Sequence, residues 1–281
     1  MDVNVKIEKE RFALGNYQYL KYSPEVFLDT AEELGIRNIE LWGAAPQFYP
    51  EAMTATRLSA FGREIRRRGL KVICITPELL GYPFNPAAED EDLRKLAVSY
   101  VKRYIDAAEE LDCGNVLVTA GCGYYDHSAD EAFRRSRESL HEICLYAKSR
   151  GVTMLLETLT PPSSNVLNTP EQQREMIKSM PEGSMFPILD LGQMAFMKQE
   201  LSRYLAHGGN LRHVHLHDTG AAVHMALGDG NAPLLSILAA LENAGYRHMY
   251  SFECNDPRYR ADPAACDRQN VRWLEEHGVI E

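Results

Sequence analysis

The 281-residue chain is long enough for one α/β barrel or two smaller domains, and no Pro/Gly/Ser-rich linker or charge block divides it. Thirty basic against forty acidic residues leave a formal net charge of −10, which disfavours a nucleic-acid backbone as partner. No apolar run approaches the roughly eighteen residues of a membrane helix, so no membrane partner is expected. The six cysteines form no CxxC pair and suit reduced thiols. Charges across Met1–Glu10 stand where a signal peptide would be apolar, so a soluble cytoplasmic protein is expected.

In chain order, strands and helices alternate. A first strand near Phe12–Gly15 precedes Ser23-Pro24, an N-cap followed by proline at the first helical position, and that helix runs to Leu34 and stops at Gly35. Arg37–Trp42 reads as a second strand carrying Glu40 near its end. A helix over Ala60–Arg68, closed by Gly69, leads to the strand Lys71–Thr76 and the loop Pro77–Asn85. The loop's mixture of aromatic, proline and polar residues suits the wall of a small-molecule pocket.

A long helix over Glu91–Leu111 feeds the strand Asn115–Thr119 and the loop Gly121–His127. The helix Ala129–Arg150 ends at Gly151, and Val152–Glu157 is then apolar until its last residue. This is the pattern of a parallel strand buried on both faces with chemistry confined to its C-terminal tip. After a helix opened by Thr169-Pro170, Phe186–Asp190 repeats that design. Leu211–Asp218 alternates imidazole with apolar residues, Ala232–Ala244 is helical, Met249–Glu253 again ends in an acid, and Asp262-Pro263 opens a last helix to His277.

Eight such alternations predict a single (β/α)8 TIM barrel over residues 1–281. The alternative is a doubly wound open sheet, but no GxGxxG follows the first strand.

In a barrel, the C-terminal ends of neighbouring strands converge on one rim, so Glu157, Asp190, a histidine of the seventh strand and Glu253 can face a common point. Singly, each has an ordinary structural use as a cap, a loop acid or a core histidine. Together, three buried carboxylates repel one another and demand either protonation or a cation. An oxygen-rich set with one imidazole suits Mn²⁺, with Mg²⁺ or Co²⁺ as alternatives, better than a sulfur-bound zinc. His213, His215 and His217 are spaced by two and share one face, so periodicity does not choose among them.

These residues carry a resemblance. Gly35–Gly43 with Pro46, Thr76-Pro-Glu, Gly81–Asn85, Leu156–Pro161 followed by Ser164–Val166, Asp190, His213–Asp218, His224, Gly228–Gly230, Glu253 and Pro257–Arg260 resemble the xylose-isomerase-like sugar isomerase/epimerase superfamily. Within it, the chain is most similar to the fructoselysine 3-epimerases and the wider ketose 3-epimerases. The resemblance implies metal ligands at Glu157, Asp190, His215 and Glu253. It also implies that Glu157 and Glu253 act as acid and base on opposite faces of a ketose, whose developing enediolate the metal stabilises. The alternative within the superfamily is an aldose-ketose isomerase or a polyol dehydratase.

Two departures stand out: Ser163 replaces a glutamate, and Gln193 a histidine, that grip substrate oxygens in tagatose- and psicose-type members. Ser163 and Gln193 are therefore candidate substrate contacts, together with Glu40, Glu78, Trp42 and His224. The implied partner is a small-molecule sugar, and the family leads to the expectation of a homo-oligomer, dimer or tetramer.

Overall fold

Eight parallel strands close into a barrel in strict sequence order, β1 pairing with both β2 and β8. The structure is a computed structural model describing residues 5–281, so Met1–Asn4 of the charged N-terminal stretch lie outside the described residues. The strands are β1 Phe12–Gly15, β2 Asn38–Gly43, β3 Lys71–Pro77, β4 Asn115–Thr119, β5 Thr153–Glu157, β6 Met185–Asp190, β7 His213–Leu216 and β8 Met249–Phe252. Around them lie α1 Pro24–Leu34, α2 Ala55–Arg67, α3 Glu91–Glu110, α4 Ala129–Ser149, α5 Pro170–Lys178, α6 Leu191–Phe196, α7 Leu201–Leu205, α8 Leu234–Asn243 and α9 Pro263–Glu276. This is the single TIM barrel expected, and the open sheet is excluded by the β1–β8 pairing.

The period of two explains how uniformly apolar strands still sort their residues. Leu156, Leu189, Val214, Leu216, Tyr250 and Phe252 belong to the large core between barrel and helices. Ala13, Ile73, Cys74, Leu117, Leu155 and Ile188 form a small separate cluster inside the barrel. Inward parity continues from Leu155 to Glu157, from Ile188 to Asp190 and from Leu117 to Thr119, so each strand delivers a polar side chain to the barrel mouth once its apolar plug is complete.

Differences from the sequence reading are local. Helix α2 starts at Ala55 rather than Ala60, with Thr54 accepting from the Arg57 N–H; Ala55–Arg57 are exposed and carry no apolar periodicity. The short helices α6 and α7 were not expected. The first is opened by Asp190 itself, whose carboxylate accepts from the Gln193 N–H. The seventh and eighth strands are shorter than expected, which leaves His217 and Glu253 just beyond regular pairing.

Closure of the barrel is reinforced where the chain's ends meet. Asp267 of α9, with no exposed surface, accepts from Tyr19 Oη at 2.6 Å and Gln18 Nε2 at 3.0 Å in the loop after β1. Burial pushes the Asp267 carboxyl from its ordinary 3.8 up to about 7, and the two donors offset only part of that effect. Between those values the folded chain holds a proton that the unfolded chain has released. Stability contributed here is therefore expected to fall as pH rises from about 4 to about 7 and to level off above. Asp267→Asn should flatten that part of the profile, as read by thermal melts across the range.

Candidate metal centre and active site

Glu157 and Asp190 are the last residues of β5 and β6, His215 is the third of β7, and Glu253 directly follows β8. Asp190 pairs with His215 in the parallel register, and Glu253 lies two residues beyond Ser251, the partner of His215. One ligand atom from each of Glu157, Asp190, His215 and Glu253 lies within 4.8 Å of all the others. His215 Nδ1 sits among the carboxylates, 2.8 Å from Glu253 Oε2, 3.5 Å from Glu157 Oε1 and 3.8 Å from Asp190 Oδ2.

The donor set fits a divalent cation. His215 Nδ1 and Glu253 Oε2 are buried, and despite their 2.8 Å separation neither makes an angularly acceptable hydrogen bond. Lone pairs that converge without bonding one another are what a shared cation requires. Among the described residues, histidines alone form ion pairs with Glu157, Asp190 and Glu253; no lysine or arginine does. Left to themselves, the side chains divide the charge by protonation. Burial first, and the neighbouring acids with it, push Glu253 up to about 7 and raise Glu157. Asp190 is held well below its usual value because His217, His224 and His215 outweigh burial, and His215 is driven well above its own by Glu253 and Glu40 despite burial.

Beneath this set lies Glu40, which has no exposed surface. Its Oε1 accepts from Thr76 Oγ1 at 2.6 Å, Tyr17 Oη at 2.9 Å and His215 Nε2 at 3.1 Å, and its Oε2 accepts from His213 Nε2 at 2.8 Å. Burial works against its charge, but His215 and His213 hold it well below the ordinary carboxylate range. The expectation that Glu40 touches substrate hydroxyls is therefore corrected: both its oxygens are engaged by buried donors below the rim, three on Oε1 and one on Oε2. Glu40 is a positioning residue. By accepting from His215 Nε2–H it fixes the tautomer that leaves Nδ1 free to bind a metal.

The three histidines that periodicity could not rank are now distinct. His213 is committed to Glu40, and His217 Nε2 donates to Asp190 Oδ2 at 3.0 Å while its Nδ1 accepts from the His224 N–H at 3.1 Å. Gly192 permits that approach, since a Cβ there would stand 2.6 Å from the His217 ring. His224, with φ of 57°, lies against His217 with ring centroids 4.4 Å apart and planes tilted by 38°, and brings Nδ1 to 3.7 Å from Glu253 Oε2. The loop around it is tied down by Asp218, whose carboxylate accepts from the N–H groups of Thr219, Gly228, Gly230 and Ala232.

The remaining candidates divide. Gln193 Oε1 is buried without a partner three residues after the α6 N-cap Asp190, free to meet a ligand. Ser163 is exposed and lines a cavity beside Thr119. Trp42 Nε1 donates to Glu78 Oε2 at 3.0 Å, and Glu78 Oε1 accepts from the Gly81 N–H, so these two first brace each other and the loop after β3. Trp42 stacks on Tyr17 with centroids 5.5 Å apart. Tyr17 and Thr119 were not anticipated, for neither belongs to a strand-end acid or histidine pattern.

Residues 28–277 match the family described as xylose isomerase-like TIM barrel. The chain belongs to that family. It is 29% identical over 242 residues to the fructoselysine 3-epimerase of Shigella flexneri, covering 83% of this chain and 88% of that one. Among solved structures, a D-psicose 3-epimerase with D-tagatose from Clostridium cellulolyticum H10 superposes with a TM-score of 0.80 at 17% identity, covering 95% and 98% of the two chains. The IolI protein crystallised with a bound zinc atom gives 0.79 at 19% identity, covering 96% of each.

Glu40→Gln keeps the shape of the buried acceptor but removes the charge that orients His215. Divalent-ion affinity is expected to fall by about 10–100-fold, measured by titration calorimetry on protein whose circular dichroism is unchanged.

Proposed function

We propose that the protein is a divalent-metal-dependent ketose 3-epimerase of the fructoselysine/ketohexose type, an isomerase whose acid and base are Glu157 and Glu253. The observation that carries this reading is the convergence of two largely buried glutamates from β5 and β8, three strands apart in the ring, on one histidine-and-aspartate centre. The named relative supports the ketose class, and the match covers most of both chains.

Glu157, Asp190, His215 and Glu253 would hold the ion, for which the oxygen-rich set favours Mn²⁺ over Mg²⁺ or Co²⁺. When bound, it supplies Lewis acidity that makes the proton beside a ketose carbonyl removable by a carboxylate. The chain's own residues do the rest. One glutamate takes the C3 proton from one face, and the other, protonated at the outset, returns a proton to C3 from the opposite face. The first then carries the extra proton and the second is ionised. The pair must re-equilibrate with solvent before the next turnover in the same direction, so solvent hydrogen enters the product at C3. Asp190, fixed by Gln193 N–H and His217, and His215, fixed by Glu40, hold the centre against sideways movement.

In heavy water with metal-loaded protein, deuterium is expected at C3 of a ketose that remains a ketose, read by NMR. Exchange at C1 would instead mark an aldose-ketose isomerase, and loss of water a dehydratase. Glu157→Gln and Glu253→Gln are each expected to lower C3 exchange by at least about 10³-fold, and His215→Ala to weaken metal binding. Full activity in Glu253→Gln, or a purified protein that binds no divalent ion, sinks the reading.

A further inference from the structure

A second group of metal-competent atoms shares two members with the first. One ligand atom from each of Asp190, His217, His224 and Glu253 lies within 4.8 Å of all the others. Asp190 and Glu253 belong to both groups, Glu157 and His215 to the first alone, and His217 and His224 to the second alone. The second group sits on the same rim, at the ends of β6, β7 and β8 and in the loop after β7.

Two observations beyond residue type point to a ligand there. His224 Nδ1 is buried without a hydrogen-bond partner, 3.7 Å from Glu253 Oε2, which is itself buried and unpartnered. His224 also has a left-handed backbone, at φ of 57°, which a non-glycine residue keeps only where its surroundings hold it. They do: Asp218 and Met225 exchange both backbone hydrogen bonds, and the Asn255 N–H donates to the His224 carbonyl. An imidazole nitrogen held buried and unpaired beside a carboxylate has the surroundings of a metal ligand.

Charge points the same way. Among the described residues, no lysine or arginine pairs with Glu40, Glu157, Asp190 or Glu253. With all four ionised, one divalent ion offsets half of their charge, and a second offsets the remainder.

We propose that Asp190, His217, His224 and Glu253 form a second cation site, weaker than the first and selective for zinc over manganese and magnesium. The two ions share Asp190 and Glu253 as bridging carboxylates, which sets them about 3.5–4 Å apart. Selectivity follows from the donors. The first group offers one imidazole and three carboxylates, the second two of each, and imidazole favours Zn²⁺ where carboxylate favours Mn²⁺ and Mg²⁺. Weakness follows from what has to change. An ion on His217 Nε2 replaces the proton now donated to Asp190 Oδ2, so the neutral ring carries its proton on Nδ1, where the Asp218 carbonyl at 3.2 Å accepts it. The His224 N–H then loses its acceptor, and the Gly192 N–H, 3.2 Å from Nε2, crowds the ion. The inference concerns metal binding alone and is independent of the sugar on which the protein acts.

The test dialyses metal-stripped protein to equilibrium against manganese chloride or zinc chloride and counts the ions bound per chain by plasma mass spectrometry. One manganese ion and two zinc ions are expected, the second zinc taken up at a higher free concentration than the first. His224→Asn, asparagine being tolerant of the left-handed backbone, should lose one zinc and keep the manganese count. Zinc-edge anomalous scattering from wild-type crystals should show two peaks, one of them bounded by His217 and His224, which decides the matter even where the variant misfolds. One zinc per chain in the wild type, two manganese ions, or a second zinc that survives His224→Asn in folded protein overturns the proposal. Absence of any C3 exchange with these ion counts intact removes the epimerase reading and leaves the second site standing.

Discussion

A single buried carboxylate organises the catalytic end of this barrel. Glu40 has no contact with water and can remain ionised only because four donors, from β1's following loop, β3 and β7, converge on its two oxygens. An unpaired charge at that depth would cost several kcal/mol, about what breaking a buried pair costs. The requirement works in both directions. Satisfying Glu40 turns His213 and His215 so that their Nε2 atoms face down, and one consequence is that His215 presents Nδ1 upward to Glu157, Asp190 and Glu253. The geometry that a metal would need is thus prepared one layer below the atoms that would bind it.

Above that layer, three carboxylates crowd one imidazole, and among the described residues no lysine or arginine pairs with them. Such a group is stable as a partly protonated cluster or around a divalent ion, and its unbonded, converging lone pairs favour the second. The surrounding residues make the arrangement stiff. Asp190 is at once the end of β6, the cap of α6 and the acceptor for His217, so a shift in its carboxylate would have to disturb three elements together. Stiffness of this kind is what the proposed exchange of protons between two glutamates and one carbon would require.

Much of this was legible before folding. Apolar strands that end in an acid, Val152–Glu157, Phe186–Asp190 and Met249–Glu253, announced both a parallel barrel and the three carboxylates at its rim, because a strand buried on both faces has no other place for a charge. Helix starts were equally plain where Pro followed Ser, Thr or Asp. Helix α2 was read late, because its first turn is exposed and carries no periodicity, and the short α6 and α7 were missed because a helix of one or two turns shows almost no hydrophobic pattern. Glu40 was recognised as special but given the wrong partner. Its position near a strand end does not reveal whether the side chain lies above the rim or below it, and that depends on the stagger of β2 against β1 and β3.

The sequence by itself determined the kind of molecule: the alternation of elements, the inward parity of each strand and the chemical character of the site, all of which follow from local spacing and the cost of burying charge. Tertiary structure alone decided which imidazole faces the carboxylates, that Glu40 lies beneath the centre, and that Thr119 and the loops after β3 and β4 enclose an apolar cavity beside Glu157. The physical reason is that His213, His215 and His217 are equivalent under a period of two. Only strand stagger and the partners supplied by other strands make their environments differ.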